Sequence, residues 1–194
     1  RSLLIRFLRE VLFWAHWIAL SKMNGSPTSV FVVVMGVAGC GKSSLGAALA
    51  QACGVPLIEG DDHHSASSRE KMRQGVALTD ADRAGWLHSL GQLLQAHGEG
   101  AVLTCSALKR AYRDQLRAAC PGLRFAFLDI DRAHAGQRVA ARAGTHFFSS
   151  ALVDSQFATL ESPVGEAGVL RLDALLPVVH LRAQATAWLA TPEL

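Results

Sequence analysis

The stretch VFVVVMGVAGCGKSS, residues 30–44, joins an apolar run to a glycine-rich turn. Residues 30–35 are apolar and mostly β-branched, which is typical of a strand buried on both faces of a parallel sheet. Residues 36–43 match the pattern G-x-x-x-x-G-K-[ST] of the phosphate-binding P-loop. A helix is predicted over 42–53, ending at Gly54. A strand, this loop and a helix in that order predict a site for the phosphates of a nucleotide.

The predicted P-loop offers both backbone and side-chain groups to phosphates. Its three glycines let the backbone turn so that N–H groups point at phosphate oxygens. Lys42 adds a positive charge and is a predicted catalytic residue, and the Ser43 hydroxyl is the expected ligand of Mg²⁺. The ATP-binding residues predicted in this segment are Gly36, Val37, Ala38, Gly39, Cys40, Gly41, Lys42, Ser43 and Ser44.

Cys40 stands inside this loop, and its role has two interpretations. Close to a helix N-terminus, its thiol could have a lowered pKa and take part in redox regulation. Alternatively, the position tolerates many residue types and the thiol has no chemical role. The sequence leaves both interpretations open.

The rest of the chain alternates apolar strand segments with helical segments. Strands are predicted at 55–58, 101–106, 124–130 and 169–173, and helices at 79–96, 108–119, 132–142, 149–161 and 176–189. Thr79 and Asp82 have the spacing of a capping box at a helix start. This alternation predicts an α/β fold, a three-layer α/β/α sandwich around a parallel sheet, with ligands at the carboxyl ends of the strands.

Length and composition favour one folded domain. The chain has 194 residues, of which 50% are apolar and 18% charged, so it can bury a full core. Its net charge of +3 gives no indication of a nucleic-acid surface. The four cysteines form no C-x-x-C pair, which argues against a zinc site or a disulfide framework and favours the cytoplasm. We expect a single P-loop domain over 30–194.

Residues 1–29 form a predicted N-terminal extension and linker. Apolar residues recur at helical spacing over 1–22, but charged residues interrupt any run long enough to cross a bilayer. Three interpretations remain open: a non-native or mis-started extension, an amphipathic accessory helix, or a targeting segment. We expect no membrane contact from the core domain.

Asp61 indicates what the bound nucleotide is used for. It follows the second predicted strand, where a carboxylate can take the proton of an acceptor hydroxyl. The chain has neither the N-K-x-D run of G proteins nor an apolar strand that ends in Asp-Glu. Phosphoryl transfer to a small molecule is therefore favoured over hydrolysis. A shikimate-kinase-like enzyme is the alternative, although the chain lacks a triple glycine and a D-x-D sequence, and a non-catalytic ATP-binding switch is a further one.

Several longer motifs resemble those of gluconokinases of the thermoresistant type, which are P-loop enzymes with a nucleoside-monophosphate-kinase-like fold. They are EGDDHH at 59–64, EKM at 70–72, LTDADRAGWL at 78–87, CSALKRAYRDQLR at 105–117, HFF at 146–148 and LVDSQFATLESP at 152–163. The resemblance covers about residues 30–189. It implies ATP- and Mg²⁺-dependent phosphorylation of D-gluconate to 6-phospho-D-gluconate by direct in-line transfer, a place beside pentose phosphate metabolism, and a cytoplasmic homodimer.

The resemblance also assigns roles on the acceptor side and in the lid. It implies that Asp61 is the catalytic base, and the predicted substrate-binding residues are Asp61, His64, Arg83, Ser106 and Lys109. A salt bridge within its helix is the alternative for Arg83. The resemblance further implies that 30–194 is a kinase domain with a lid at about 132–163. In this lid, Arg138 is expected to bind ATP and Arg142 to be catalytic. The sequence departs from the family pattern at two places. RAGTHF at 142–147 leaves open which lid arginine reaches the phosphates, and SASS at 65–68 leaves open the geometry of the substrate loop.

Overall fold

The computed structural model describes residues 29–141 and 150–191. Five strands lie within these ranges: β1 (Val30–Met35), β2 (Leu57–Glu59), β3 (Gly100–Thr104), β4 (Arg124–Asp129) and β5 (Val169–Asp173). The helices are α1 (Lys42–Cys53), α2 (Ala66–Arg73), α3 (Asp80–Ala96), α4 (Arg110–Ala119), α5 (Arg132–Ala140), α6 (Ser150–Thr159) and α7 (Val178–Leu189), together with a 3₁₀ helix at Gly60–His63.

The strands form one parallel sheet in the order β2-β3-β1-β4-β5. Strand β1 lies in the middle, with Val33 paired to Leu103 of β3 on one side and to Phe125 of β4 on the other. The carboxyl ends of β2, β3 and β1 are therefore neighbours at one edge. The loops that follow these three strands contain Asp61, Ser106 and the P-loop, so the strand order brings the three together.

Helices cover both faces of the sheet. Because side chains alternate along a strand, Val32 and Val34 pack in a core with α1 and α7, while Val33 and Met35 pack in a second core with α3 and α4. All four side chains are fully buried. The predicted three-layer α/β/α sandwich with a parallel sheet is confirmed.

Most of the predicted elements are confirmed, with shifts of a few residues at their ends. The predicted strand at 55–58 lies at Leu57–Glu59 instead, after Pro56. The capping box is present, since Asp82 N–H donates to Thr79 Oγ1 at 3.3 Å and Thr79 N–H to Asp82 Oδ2 at 2.9 Å.

Helix α2 was not predicted. Its sequence, ASSREKMR, has no apolar periodicity, so the helical pattern is missing. Ser65 caps the helix by accepting from Ser68 N–H at 3.1 Å. A serine at a possible N-cap position was the one feature of the sequence that could have indicated this helix.

Some predictions fall on residues outside the described ranges. They concern the extension at 1–28, Arg142 and the HFF segment at 146–148. The domain division and the lid at 132–163 therefore stay predictions. Within 29–141 and 150–191, no helix is both long and apolar enough to cross a membrane.

Candidate active site

The P-loop has a backbone that requires glycine at defined positions. Gly36 has φ +140° and Gly39 has φ +82°, in the region that L side chains rarely adopt. A Cβ on Gly36 would lie 2.7 Å from the Leu128 carbonyl oxygen, and one on Gly39 would lie 2.7 Å from that of Ala135. The loop is thus pressed against the end of β4 and against α5. Its shape fits a phosphate cradle, because N–H groups at the start of α1 carry no side-chain cap.

Lys42 and Ser43 lie at the start of α1, beside the cradle. Lys42 Nζ donates to the carbonyl oxygens of Gly36 and Val37 at 3.2 Å each, which holds the ammonium group across the loop. Ser43 Oγ donates to Glu59 Oε2 at 3.1 Å, and Thr104 Oγ1 donates to the same carboxylate oxygen. Glu59, at the end of β2, was not predicted to take part in the site. It orients the hydroxyl that was predicted to bind Mg²⁺.

The other predicted ATP-binding residues differ in their exposure. Val37 and Ala38 are buried, whereas Ser44 is exposed on α1. Arg138 of α5 donates to the carbonyl oxygens of Gly39 and Cys40 at 3.5 and 3.4 Å, and to that of Ala174 at 3.0 Å. Arg138 therefore braces the outer side of the loop.

The Cys40 thiol is 1% exposed. Burial raises the pKa of Cys40 above its ordinary value, although the nearby positive charges of Lys42 and Arg138 oppose the shift. A reactive thiolate is thus not supported, because a thiol in this environment stays protonated. The buried Cys40 side chain packs inside the loop, so the position is also less tolerant of other residue types than the second interpretation assumes. Cys105, also buried, has its pKa raised to about 12 for the same reason.

A cavity adjoins the P-loop. Five of the predicted site residues line it together: Lys42, Asp61, His64, Arg83 and Ser106. Six further lining residues were not predicted: Met72, Ala77, Leu78, Leu152, Ser155 and Gln156. The cavity thus joins a phosphate-binding wall to a wall with a carboxylate, a guanidinium group and a hydroxyl.

Asp61 and His64 lie in and directly after the 3₁₀ helix. The Asp61 side chain is 53% exposed, and its Oδ1 lies 3.8 Å from His64 Nε2. The His64 ring stacks on Trp86 with 4.1 Å between ring centroids, and Trp86 Nε1 donates to the Gly60 carbonyl oxygen at 2.8 Å. Trp86 therefore fixes both the ring and the backbone that precedes Asp61.

His64 is neutral near pH 7. Burial lowers its pKa to about 4; the attraction of Asp61 opposes this shift, and the positive charges of Arg83 and Arg69 add to it. Its Nδ1 is buried and has no hydrogen-bond partner among the described residues. A buried imidazole nitrogen of this kind is costly to leave unpaired, so it marks a position where a ligand hydroxyl would be favoured.

Arg83 is 8% exposed and contributes a buried positive charge to the cavity. Its Nε donates to the Leu78 carbonyl oxygen at 3.4 Å, and its guanidinium carbon lies 5.8 Å from the centroid of the Tyr112 ring. Within 29–141 and 150–191, no carboxylate forms an ion pair with Arg83. The alternative of a helix salt bridge is thus not found, and an anionic ligand would supply the missing partner.

Ser106 follows β3 and is 8% exposed. Its neighbour Ala107 has φ +44°, so the chain turns sharply there. Arg113 of α4, fully buried, donates to the carbonyl oxygens of Ala107 and Leu108 at 2.9 and 3.1 Å. The same guanidinium pairs with Glu166. Arg113 therefore fixes the turn that carries Ser106.

Lys109 does not line the cavity. Its Nζ donates to both carboxylate oxygens of Asp80 at 2.8 Å, and the Tyr112 hydroxyl donates to the same carboxylate. These bonds lower the pKa of Asp80, the one from Lys109 most. The structure thus places Lys109 in a link between the starts of α3 and α4 and outside the lining of the cavity.

Comparison with known proteins identifies the family. Residues 31–163 match the family described as AAA domain. The chain is 44% identical over 145 residues to a gluconokinase of Gluconobacter oxydans (strain 621H), an alignment that covers 73% of this chain and 81% of that protein. It is 40% identical to the thermosensitive gluconokinase of Escherichia coli (strain K12), with 78% and 83% covered. The chain belongs to the gluconokinase family.

The fold agrees with that of a solved gluconokinase. The crystal structure of a gluconokinase from Sinorhizobium meliloti 1021 matches with a TM-score of 0.77 and 45% identity, over 84% of this chain and 92% of that one. The agreement includes most of the described sheet and helices, so the strand order that assembles the cavity belongs to a gluconokinase architecture.

Half of the cavity-lining residues that were not predicted lie in α6. Leu152, Ser155 and Gln156 are spaced by three and four positions, so they share one face of the helix, and that face lines the cavity. The signal was present in LVDSQFATLESP, which contributed to the resemblance but suggested no role for these residues. Glu59 was also missed, although its position directly before Gly60 and Asp61 could have indicated it.

Proposed function

We propose that the chain transfers the γ-phosphoryl group of ATP to D-gluconate, giving 6-phospho-D-gluconate and ADP. The observation that supports this most is the single cavity that contains Lys42 of the P-loop, the Asp61 carboxylate and the buried Arg83 guanidinium. A P-loop alone serves many reactions. An acceptor with both hydroxyl groups and a carboxylate needs a base and a cation beside that loop, and this cavity has both.

Asp61 accepts the proton of the attacking hydroxyl. It lies in the 3₁₀ helix that follows β2, and only β3 separates β2 from β1, the strand before the P-loop. Its exposed carboxylate lines the same cavity as Lys42. Lys42 draws negative charge from the transferred phosphoryl group while the backbone N–H groups of the cradle hold the remaining phosphate oxygens. The oxygen–phosphorus bond to the acceptor forms as the bond to ADP breaks.

Arg83 binds the gluconate carboxylate, and His64 and Ser106 hold hydroxyl groups. The guanidinium fork of arginine matches a carboxylate in geometry and charge. Neutral His64, with its buried Nδ1 unpaired in the described structure, forms a hydrogen bond with a substrate hydroxyl. Lys109 was predicted to bind the substrate directly; because it pairs with Asp80 and does not line the cavity, we propose an indirect role for it instead.

The residues around Ser43 fit Mg²⁺, the metal ion expected for this family. Ser43 and Glu59 present oxygen atoms, the ligand type that this ion prefers. In the described ranges, no group of three or more His, Cys, Asp or Glu residues is arranged to hold a metal ion. Ser43 would contribute its hydroxyl to the ion, and Glu59 orients that hydroxyl. Mg²⁺ bound there would withdraw charge from the phosphates.

The remaining expectations rest on the family. We propose that Arg138, which braces the P-loop, acts on the ATP side, and that Arg142, which lies outside the described residues, closes over the phosphates as a catalytic residue. A homodimer, a cytoplasmic location and a role in pentose phosphate metabolism belong to the same proposal.

An assay of ADP release by the full chain tests the function. We expect release only when gluconate is supplied together with Mg²⁺ and ATP, and ³¹P NMR should show a phosphate monoester of gluconate. Shikimate, gluconolactone and nucleoside monophosphates serve as competing acceptors. Hydrolysis of ATP that does not depend on gluconate, or faster turnover of another acceptor, would contradict the proposal.

A further inference from the structure

Gln156 joins helix α6 to the P-loop. The Ala38 N–H donates to Gln156 Oε1 at 2.6 Å, across 118 residues of sequence. A backbone N–H can only donate, so the amide oxygen, not the amide nitrogen, must face it. This contact fixes the orientation of the planar amide, and Nε2 lies on the side away from Ala38.

The packing of α6 fixes where Gln156 can reach. Val153 and Phe157, on one side of the helix, pack in the core beneath the sheet, and Val153 is 2% exposed. Leu152, Ser155 and Gln156 form the side that lines the cavity. The helix therefore cannot rotate without exposing its apolar side, and Gln156 is held on the cavity wall.

Nε2 of Gln156 has two N–H groups and no protein acceptor among the described residues. The cavity that it lines also contains Asp61, His64 and Ser106, the residues proposed to act on the acceptor. A ligand with several hydroxyl oxygens would provide the acceptor that Nε2 lacks in this part of the protein.

We propose that Gln156 positions the sugar acid against the P-loop, with Oε1 bound to Ala38 N–H and Nε2 donating to a hydroxyl oxygen of the acceptor. This inference rests on the proposed function. One rigid amide then spans the nucleotide loop and the acceptor, so the attacking hydroxyl and the transferred phosphoryl group keep a fixed separation. A site built to donate to a hydroxyl also discriminates against an acceptor that lacks it, because the donor is left unpaired.

Three variants of the full chain test the two halves of this role. Gln156→Glu keeps an oxygen for Ala38 N–H but removes the donor, and Gln156→Leu removes both. Gln92→Glu is the matched control. It makes the same change of charge, but Gln92 is exposed on α3 and does not line the cavity. Each variant is measured for its gluconate KM, its kcat and its dissociation constant for a fluorescent ATP analogue, with circular dichroism to check folding.

For Gln156→Glu we expect the KM for gluconate to rise at least about tenfold, with nucleotide affinity within about twofold of the wild type. For Gln156→Leu we expect both gluconate and nucleotide binding to weaken. Gln92→Glu should behave as the wild type.

An unchanged gluconate KM in Gln156→Glu, or a loss confined to nucleotide affinity, would overturn the acceptor contact. If Gln156→Leu does not fold, Gln156→Glu still tests the inference, because glutamate has the same shape as glutamine. If Gln156→Glu does not fold either, wild-type turnover of a set of deoxygluconates decides, and the inference is wrong if no single hydroxyl affects KM. A wild type without gluconate-dependent ADP release would refute the proposed function itself.

Discussion

At the scale of single residues, the cavity pairs an exposed carboxylate with a buried imidazole. Asp61 is open to solvent while His64, three residues later, is 5% exposed and stacked on Trp86. Environment gives the two groups different chemistry. The exposed carboxylate is accessible to a ligand, whereas the buried imidazole stays neutral and can only form hydrogen bonds.

Asp61→Asn is expected to lower kcat by a factor of about 10²–10⁴, because the amide cannot accept the proton of the attacking hydroxyl. The affinity for a fluorescent ATP analogue should stay unchanged. Asp62→Asn is the matched control, since Asp62 is the exposed neighbour and does not line the cavity. Loss of nucleotide binding in Asp61→Asn would reassign Asp61 to the binding of ATP or its metal ion.

His64 is expected to make stability depend on pH. Burial lowers its pKa to about 4 in the folded chain, against an ordinary value of 6.5, so between these values the unfolded state binds a proton that the folded state excludes. Stability is therefore fully present above pH 6.5 and falls by up to about 3 kcal/mol as the pH is lowered to 4. Urea unfolding of the wild type and of His64→Phe, which keeps the ring on Trp86, measures this. An equal pH slope in both would contradict it.

At the scale of secondary structure elements, α4 is tied to the segment before β5 by a buried charge cluster. Arg113 is fully buried, and the Glu166 side chain that pairs with it is 13% exposed. Glu166 also accepts from Arg117 at 2.8 Å, and both arginines lower the pKa of its carboxyl group against the effect of burial. Through Arg113, this cluster supports the turn that carries Ser106.

Glu166→Gln is expected to lower the free energy of unfolding by about 3–5 kcal/mol, because it leaves the Arg113 charge buried without a counter-charge. Thermal and urea unfolding measure the change. The control is Glu70→Gln, which breaks the exposed pair with Arg73 and should leave the free energy of unfolding nearly unchanged. Similar losses in both variants would show that the buried cluster contributes no more to stability than the exposed pair.

The elements show what a sequence can and cannot predict. Strand β1 and helix α1 followed directly from the apolar run, the glycines and the stop at Gly54, because these are local preferences of the backbone. The contact of Gln156 with Ala38 joins residues far apart in sequence, and no local pattern indicates it. Lys109 was expected near the phosphoryl group because of its place after β3, but Asp80 lies close enough to pair with it. Strand ends were predictable, whereas side-chain partners across the fold were not.

At the scale of the whole molecule, the cavity depends on the strand order β2-β3-β1. The P-loop, the Asp61 segment and the Ser106 turn come from three separate parts of the chain and meet only when the sheet is complete. Ligands that bind this arrangement must therefore favour the folded state over the unfolded one.

We expect gluconate and a non-hydrolysable ATP analogue, each at about 100 times its Kd, to raise the free energy of unfolding by about 2.7 kcal/mol each. Differential scanning fluorimetry measures the shift in Tm. Arg83→Met should lose the shift caused by gluconate and keep the shift caused by the nucleotide. A variant that keeps both shifts would show that Arg83 does not bind the acceptor carboxylate.

The turn after β3 restricts which residues can occupy position 107. Ala107 has φ +44°, a conformation that costs L residues roughly 1–2 kcal/mol, and its methyl group is fully buried. Glycine would relieve the backbone strain but leave a small void, and any larger side chain would suffer both the strain and a clash. A saturation library at position 107 should therefore yield active clones only with alanine or glycine. The neighbouring Ser106 is restricted by its chemistry and not by its backbone geometry.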